Sequence, residues 1–180
     1  MWIYLLRHGI AEDPGHGQLD DDRALTEEGL YRLRRSGTVW QKLLPPLEVV
    51  LTSPLLRARQ TTEILLEAMQ GSDLSDQDPA AAVQPRIEPC LAPHGNTTDA
   101  VIKLEAELLS GTKCVAIVGH EPHLGYLLGN LTTGQTHLSI PLKKGMLVAL
   151  QCDSKTSLTC GLRFSLTYKA VQQLLQDSGS

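Results

Sequence analysis

Three short, uniformly apolar runs stand out along the chain, at residues 2–6, 49–52 and 114–118. Each run is too short for a typical helix and is apolar on both sides, which is characteristic of a parallel strand covered on both faces. Apolar residues in steps of three and four follow the first two runs and indicate amphipathic helices. The alternation of strand and helix patterns predicts an α/β sheet.

The helix boundaries can be predicted from local signals. Thr26 is a typical N-cap, and Pro45-Pro46 ends the helix that it begins. Ser53-Pro54 combines an N-cap residue with a proline at the first helical position. A short helix is predicted from Pro122 to Leu131, and an amphipathic helix at residues 99–109. The predicted buried positions are Leu30, Leu33, Gly37, Trp40 and Leu44 in the first helix, and Leu55, Ala58, Thr62, Leu65 and Met69 in the second.

The last third of the chain has a different pattern. Residues 146–152 form an apolar run, residues 153–157 are polar, and alternating apolar positions follow, which predicts two antiparallel strands joined by a turn. Residues 168–175 predict a closing helix. The alternating positions are Leu158, Cys160, Leu162, Phe164 and Leu166.

These elements together predict a three-layer α/β/α sandwich with a mostly parallel central sheet and an antiparallel edge. A length of 180 residues is close to the usual size of one domain, so residues 1–180 are predicted to form a single domain. The polar stretch at residues 70–85 shows no periodicity and is predicted to be an exposed loop.

Composition and charge exclude some functions. The net charge of −4 and the lack of a basic block argue against nucleic-acid binding. No apolar run has the length of a transmembrane helix, and the first residues lack the basic start of a signal peptide, so we expect a cytoplasmic protein without a membrane partner. The paired lysines Lys143 and Lys144 are interpreted as a solvated turn.

The four cysteines show no CxxC spacing and are interpreted as reduced thiols of the core. A disulfide between Cys152 and Cys160, across the late hairpin, is the alternative.

Polar residues follow each of the three predicted parallel strands. Ligands of open α/β sheets bind at the carboxyl ends of the strands, so we expect these residues to meet at one edge. They are Arg7, His8 and Gly9 after the first strand, Ser53 and Arg57 after the second, and His120 and Glu121 after the third. Arg23 could reach the same edge from the loop after the first strand.

These residue types suit a phosphoryl group. Arginine donates to phosphate oxygens in bidentate fashion, and a helix N-terminus near Arg57 would add N–H donors. Gly9 would let the backbone approach the ligand. Neighbouring guanidinium groups lower the pKa of a histidine and keep its lone pair available. Phosphoryl transfer needs mainly positioning and charge neutralisation, so no metal or other cofactor is expected.

At this point the sequence resembles a known family. Leu6-Arg7-His8-Gly9 resembles the Arg-His-Gly signature of the histidine phosphatase superfamily, which includes the phosphoglycerate mutases. Residues 53–61 are similar to its Ser-Pro-x-x-Arg-Ala-x-Gln-Thr helix start, and Val118-Gly119-His120 to its second-histidine motif. The segment 23–26 and the short length resemble the SixA-type phosphohistidine phosphatases.

The resemblance implies a phosphoglycerate mutase-like fold and a role for each matching residue. His8 is expected to be the nucleophile and to form a transient phosphohistidine that water hydrolyses. Arg7 and Arg57 are expected to hold the phosphoryl oxygens, and His120 to donate to the same group. The expected substrate-binding residues are Arg23, Gly9, Ser53 and Glu121, the last interpreted as a helix cap or, less favoured, as a weak acid or base.

One feature of the mutase-type relatives is missing. They supply a general acid from an Asn-Glu motif between the positions of Arg57 and His120, and no such motif occurs here. Glu88 lies in a segment, residues 88–95, that is similar to the SixA type instead. Imidazole leaves as a neutral group once its other nitrogen is protonated, whereas an alkoxide needs a proton donor. The missing acid therefore favours phosphohistidine in a protein, such as a histidine phosphotransfer domain of a phosphorelay, as the substrate.

Two alternatives remain open at this stage: a small-molecule phosphomonoester phosphatase, and a non-catalytic module that binds a phosphoprotein.

Asp20-Asp21-Asp22 follows polar residues rather than a buried strand and is interpreted as a solvated acidic turn, not as an aspartate nucleophile. His120 and His123 have a spacing found in metal sites, but no third ligand is evident. The remaining histidines are interpreted as surface or loop residues, namely His16, His94, His123 and His137. For His94, a position at the mouth of the pocket is an equal alternative.

Overall fold

The computed structural model describes residues 1–15, 19–70 and 83–177. In this part of the chain six strands form one sheet in the order β3-β2-β4-β1-β5-β6. The strands are β1 (Trp2–Arg7), β2 (Val49–Thr52), β3 (Arg86–Ile87), β4 (Cys114–Gly119), β5 (Leu147–Gln151) and β6 (Gly161–Leu166). The first four are parallel, while β5 runs antiparallel to both of its neighbours.

Helices cover both faces of this sheet. They are α1 (Glu27–Leu43), α2 (Leu56–Gln70), α3 (Thr97–Ser110), α4 (His123–Thr133) and α5 (Tyr168–Asp177). In β1, Ile3 and Leu5 face a core with residues of α3 and α4, while Tyr4 and Leu6 face a core with residues of α1, α2 and α5. The predicted three-layer α/β fold with an antiparallel edge is confirmed.

The register of the parallel strands aligns their carboxyl ends. Arg7 is paired with Gly119 across β1 and β4, and the His8 N–H donates to the Gly119 carbonyl over 3.0 Å. The Ser53 N–H donates to the Val118 carbonyl over the same distance. The residues that follow three strands therefore lie at one level of the sheet edge.

Local signals predicted α1 well. Thr26 is its N-cap, and its hydroxyl accepts from the Gly29 N–H over 3.0 Å.

The start predicted for α2 is wrong, because this helix begins at Leu56 rather than after Ser53. The Ser53 hydroxyl accepts instead from the Leu55 N–H and closes a turn before the helix.

The predicted alternation of β6 fails at Leu162, which is 59% exposed. Leu162 pairs with Leu150 of β5, and Phe164 pairs with the adjacent residue, Ala149. Arg163, between them, has no partner in β5 and forms a bulge. Leu162 and Phe164 therefore lie on opposite faces of the sheet, although their spacing in the sequence places them on one.

Several smaller features of the fold differ from the sequence-based expectations or extend them. Strand β3 was not predicted, and α3 begins at Thr97, after the N-cap Asn96. The predicted loop at residues 70–85 falls mostly outside the described residues. All four cysteines are free thiols, and the Cys152 thiol donates to the Ser157 carbonyl. Within the described residues, none of the helices has the length and apolarity needed to cross a bilayer.

Candidate active site

Two buried histidines lie side by side where β1 and β4 end. The ring centroids of His8 and His120 are 4.8 Å apart. His8 is 7% exposed to solvent and His120 is 1% exposed. The sequence predicted this proximity from the rule that parallel strand ends converge. The backbone bond between His8 and Gly119 fixes it.

The hydrogen bonding of His8 defines its tautomer. Its Nδ1 lies 2.7 Å from the Gly9 carbonyl, which can only accept, so Nδ1 carries the proton and Nε2 keeps its lone pair. The pKa of His8 is lowered from 6.5 to about 4, mainly by burial. The bond to Gly9 opposes this shift, and the positive charges of Arg57, Arg7 and Lys144 add to it. His8 is therefore neutral near physiological pH, with Nε2 available as a nucleophile.

His120 is held by Ser53. Its Nε2 lies 2.8 Å from the Ser53 hydroxyl, while its Nδ1 is buried and forms no hydrogen bond within the described residues. Burial lowers the pKa of His120, and the neighbouring His8 and Arg57 lower it further. If Ser53 donates to Nε2, then Nδ1 carries the proton and can donate to an anion. Ser53 therefore orients His120 instead of capping α2, which corrects the sequence-based interpretation.

Arg57, which is 4% exposed, extends from the first turn of α2 and binds the short 3-10 turn at Asp20–Asp22. Its Nη1 donates to the Asp20 carbonyl over 2.6 Å, and its Nη2 donates to the Asp20 carboxylate over 2.8 Å. The other carboxylate oxygen accepts from Arg23 over 2.7 Å. These hydrogen bonds, from Arg23 first and Arg57 second, lower the pKa of Asp20.

The shared carboxylate links Arg23 to Arg57. Two further contacts fix its loop. The Arg23 Nε donates to the Glu12 carbonyl over 2.7 Å, and the Leu25 N–H donates to the Gln60 side chain over 2.7 Å. Gln60 belongs to the motif at residues 53–61, so one helix both supplies Arg57 and anchors the loop that carries Arg23.

Gly9 is in close contact with α1. A Cβ at this position would lie 2.7 Å from Leu33 Cδ1, so a larger residue here would force Leu33 to shift. Packing is thus a second reason for a glycine, beside the approach to a ligand that the sequence suggests. The Gly9 N–H donates to the Thr61 hydroxyl over 3.2 Å, and that hydroxyl donates to the Arg57 carbonyl over 2.7 Å. Thr61 thus links the His8 loop to α2.

Arg7 lies against the turn that precedes β5. Its Nη1 donates to the Leu142 carbonyl over 2.6 Å, and the Leu142 N–H donates to the Glu121 carboxylate over 3.1 Å. The same carboxylate accepts from the Gly125 N–H in the first turn of α4, which supports its interpretation as a cap. Burial raises the pKa of Glu121, and the charge of Arg7 opposes this.

The structure also places the other candidates. Glu88 forms an ion pair with Lys103, with 3.1 Å between Oε2 and Nζ. His94 and His137 are exposed, as predicted, and His16 lies outside the described residues. The prediction for His123 is wrong: it is 2% exposed, because it begins α4 with its side chain in the interior, and burial lowers its pKa.

Two features were missed by sequence reasoning. Asp20 was interpreted as part of a solvated turn, yet it joins two arginines of the site; its position three residues before Arg23 was the available signal. The charge of Lys144 lowers the pKa of His8, although the sequence around Lys144 indicates only an exposed turn. Among the described residues, no group of three or more His, Cys, Asp or Glu side chains is arranged to hold a metal ion.

The arrangement combines a neutral histidine with three arginines and a second histidine. The lone pair of His8 Nε2 can attack an electrophile, while guanidinium groups neutralise charge that develops on its oxygens. A phosphoryl group has the required electrophilic centre and anionic oxygens.

Comparison with known proteins agrees with this geometry. Residues 3–80 match the sequence profile of the histidine phosphatase superfamily (branch 1). An uncharacterized protein of Picosynechococcus sp. is 36% identical over 151 residues, which are 84% of this chain and 85% of that protein. The phosphohistidine phosphatase SixA of Escherichia coli is 30% identical over 136 residues, 76% of this chain and 77% of that protein.

A solved structure of the protein histidine phosphatase SixA complexed with tungstate superposes with a TM-score of 0.79 at 24% identity, covering 94% of this chain and 98% of that one. This likeness concerns the fold, and the sequence relatives establish the family. The chain belongs to the histidine phosphatase superfamily and is a SixA-like phosphatase.

Proposed function

We propose that this protein removes the phosphoryl group from phosphohistidine in a signalling protein of a phosphorelay, through a phosphohistidine intermediate on His8 and without a metal ion. The observation that carries the proposal is the bond from His8 Nδ1 to the Gly9 carbonyl, which leaves Nε2 unprotonated among cationic side chains. A relative with 30% identity is named a phosphohistidine phosphatase, which supports the same substrate class.

The reaction has two steps. The Nε2 lone pair of His8 attacks phosphorus, and the bond between phosphorus and the substrate imidazole breaks. The substrate nitrogen takes back the electron pair of that bond, and the imidazole leaves as a neutral group when its other nitrogen is protonated. Water then attacks phosphorus, the bond between phosphorus and His8 Nε2 breaks, and Nε2 takes back the electron pair, so that the ring is again neutral with its proton on Nδ1. The attacking water loses a proton to solvent, and inorganic phosphate is released.

Arg7, Arg57 and Arg23 neutralise the phosphoryl oxygens during both steps. His120 donates a hydrogen bond from Nδ1 to the same oxygens as charge builds up. Arg57 has five N–H donors, so it can bind a phosphoryl oxygen and still keep contact with Asp20.

The carboxylates near the site support a substrate with a good leaving group. Glu88 is paired with Lys103, Glu121 accepts from two backbone N–H groups, and Asp20 is held in its charged form by two arginines. Glu88 and Asp20 are therefore held in their charged forms, and the hydrogen bonds that Glu121 accepts oppose the rise of its pKa by burial. This favours a phosphoramidate over a phosphomonoester, whose alkoxide would need protonation.

The decisive experiment measures phosphate release from a phosphohistidine protein by the wild type and by His8→Ala. The matched control is His137→Ala, which alters an exposed histidine. We expect His8→Ala to be folded but inactive and the control to be unaffected. Rapid quenching should trap an acid-labile phosphate on wild type only. Undiminished turnover by His8→Ala would refute the nucleophile.

The substrate class and metal independence need a second measurement. We expect kcat/KM to be higher for phosphohistidine protein than for sugar phosphates, and a chelator to leave both values unchanged. A preference for sugar phosphates would establish the small-molecule alternative. Binding of phosphoprotein without any turnover would establish the non-catalytic one.

A further inference from the structure

A groove of about 830 Å³ lies beside the candidate active site, between α1, the start of α5 and the turn before β5. Four cations line it, and its single carboxylate, Glu28, is paired with one of them, Arg32. The remaining cations are Lys143, Lys144 and Lys169. The groove thus has an excess of three positive charges, four minus one, on a chain whose net charge is −4.

These three lysines are exposed and form no ion pair within the described ranges, 1–15, 19–70 and 83–177. Three like charges along one groove repel each other, and this costs stability unless a partner neutralises them.

The groove is continuous with the site. The Gly145 N–H, next to Lys144, donates to the carbonyls of both Arg7 and His8, over 3.1 and 3.0 Å. The Met146 N–H donates to the Lys143 carbonyl over 2.9 Å, which closes the turn that presents the two lysines. The charge of Lys144 reaches the ring of His8, where it helps to lower the pKa. A molecule bound in the groove therefore lies next to the group that reacts at His8.

The side chains favour an extended, acidic occupant over a compact anion. Lysine heads are mobile and strongly hydrated, and they form a diffuse positive surface, whereas a phosphate site is usually built from arginine forks and backbone N–H groups. Tyr31, Tyr168 and the Arg32 side chain stacked over Tyr168 supply flat contact area along the same groove. Such a surface matches a run of carboxylates on a polypeptide.

We propose that this groove docks an acidic segment of the phosphoprotein substrate, beside the phosphorylated histidine. The proposal rests on the proposed function, because it assumes that the substrate is a protein. It assigns Lys143 and Lys169 to substrate selection rather than to phosphoryl transfer.

The test uses two synthetic peptides that each carry one phosphohistidine and differ only in having four glutamates or four glutamines beside it. At low ionic strength we expect wild type to show a KM roughly tenfold lower for the glutamate peptide, with similar kcat values. Salt at about 1 M should remove the difference, because the Debye length then falls to roughly 3 Å.

The double variant Lys143→Glu/Lys169→Glu should lose this preference and keep its kcat on the glutamine peptide. The matched control is Lys113→Glu/Lys155→Glu, which reverses two exposed lysines in a separate groove next to Met1 and Asp153. Equal KM values of wild type for the two peptides, or an equal loss of preference in the control, would overturn the proposal.

A binding measurement separates this proposal from the proposed function. Fluorescence anisotropy of a labelled, unphosphorylated glutamate peptide should show binding to wild type and to the control, and weaker binding to the groove variant. If the peptide binds in this way but no phosphohistidine peptide is hydrolysed, the proposed function fails and the groove remains an acidic-peptide site. If phosphohistidine is hydrolysed but the peptide does not bind, the groove proposal fails alone.

Discussion

Asp20 binds Arg57 through two of its oxygens, the backbone carbonyl at 2.6 Å and the carboxylate at 2.8 Å. The residues are 37 positions apart in the sequence, and Arg57 is almost fully buried. The remaining carboxylate oxygen binds Arg23, so a negative charge sits between two arginines that are expected to bind a phosphoryl group.

This charge should weaken the binding of another anion. Asp20→Asn keeps a carbonyl oxygen that can accept from Arg57 but removes the charge. We expect the inhibition constant of inorganic phosphate to fall roughly fivefold at low ionic strength, because repulsion between the carboxylate and phosphate is lost. Asp21→Asn, in the same turn, is the control. A rise in the inhibition constant would show that Asp20 mainly serves to hold the arginines in position.

The buried histidines should make stability depend on pH. The pKa of His8 is about 4 in the folded protein and 6.5 in the unfolded chain, so between these values the unfolded chain binds more protons. Stability is then fully present above pH 6.5 and is lost as the pH falls towards 4. His8 alone should cost about 2 kcal/mol between pH 7 and pH 5.

Urea unfolding at the two pH values checks this expectation. His8→Asn should show a smaller loss of stability than wild type, by about 2 kcal/mol, while His137→Asn should match wild type because that side chain is exposed. Identical losses in all three proteins would mean that His8 titrates normally in the folded state.

Ser53 should affect turnover through His120. Ser53→Ala removes the hydroxyl that lies 2.8 Å from His120 Nε2, so the ring loses the contact that orients it. We expect kcat to fall roughly fivefold with little change in KM, since one hydrogen bond is worth about 1 kcal/mol. Ser36→Ala, which alters a buried serine of α1, is the control for a general packing effect. A change in KM alone would contradict an orienting role.

A side chain at position 9 should destabilise the fold. The Cβ of Gly9→Ala would lie 2.7 Å from Leu33 Cδ1, so the variant should lose about 1–3 kcal/mol in free energy of unfolding. Gly161→Ala is the control, because the nearest atom to its Cβ would be the Gln151 carbonyl oxygen at 3.9 Å. A double-mutant cycle with Leu33→Ala should give a favourable coupling energy. Equal stability of the two alanine variants would contradict the packing argument.

The sequence by itself determined the layers of the fold and the centre of the site. Strand and helix periodicities are local properties, so β1, β2, β4 and the capped start of α1 could be read directly. Convergence of parallel strand ends then placed His8 next to His120 without knowledge of any contact.

Only the tertiary structure decided how those residues are held. The contact of Asp20 with Arg57 depends on how a loop folds back over α2, and no local pattern encodes that path. The bulge at Arg163 depends on pairing between β5 and β6, and the burial of His123 depends on which face of α4 meets the sheet. The role of Lys144 arises because its turn is bonded to the backbone of His8. Each of these features is a contact between segments that are distant in sequence, whereas periodicity and capping involve only neighbours in the chain.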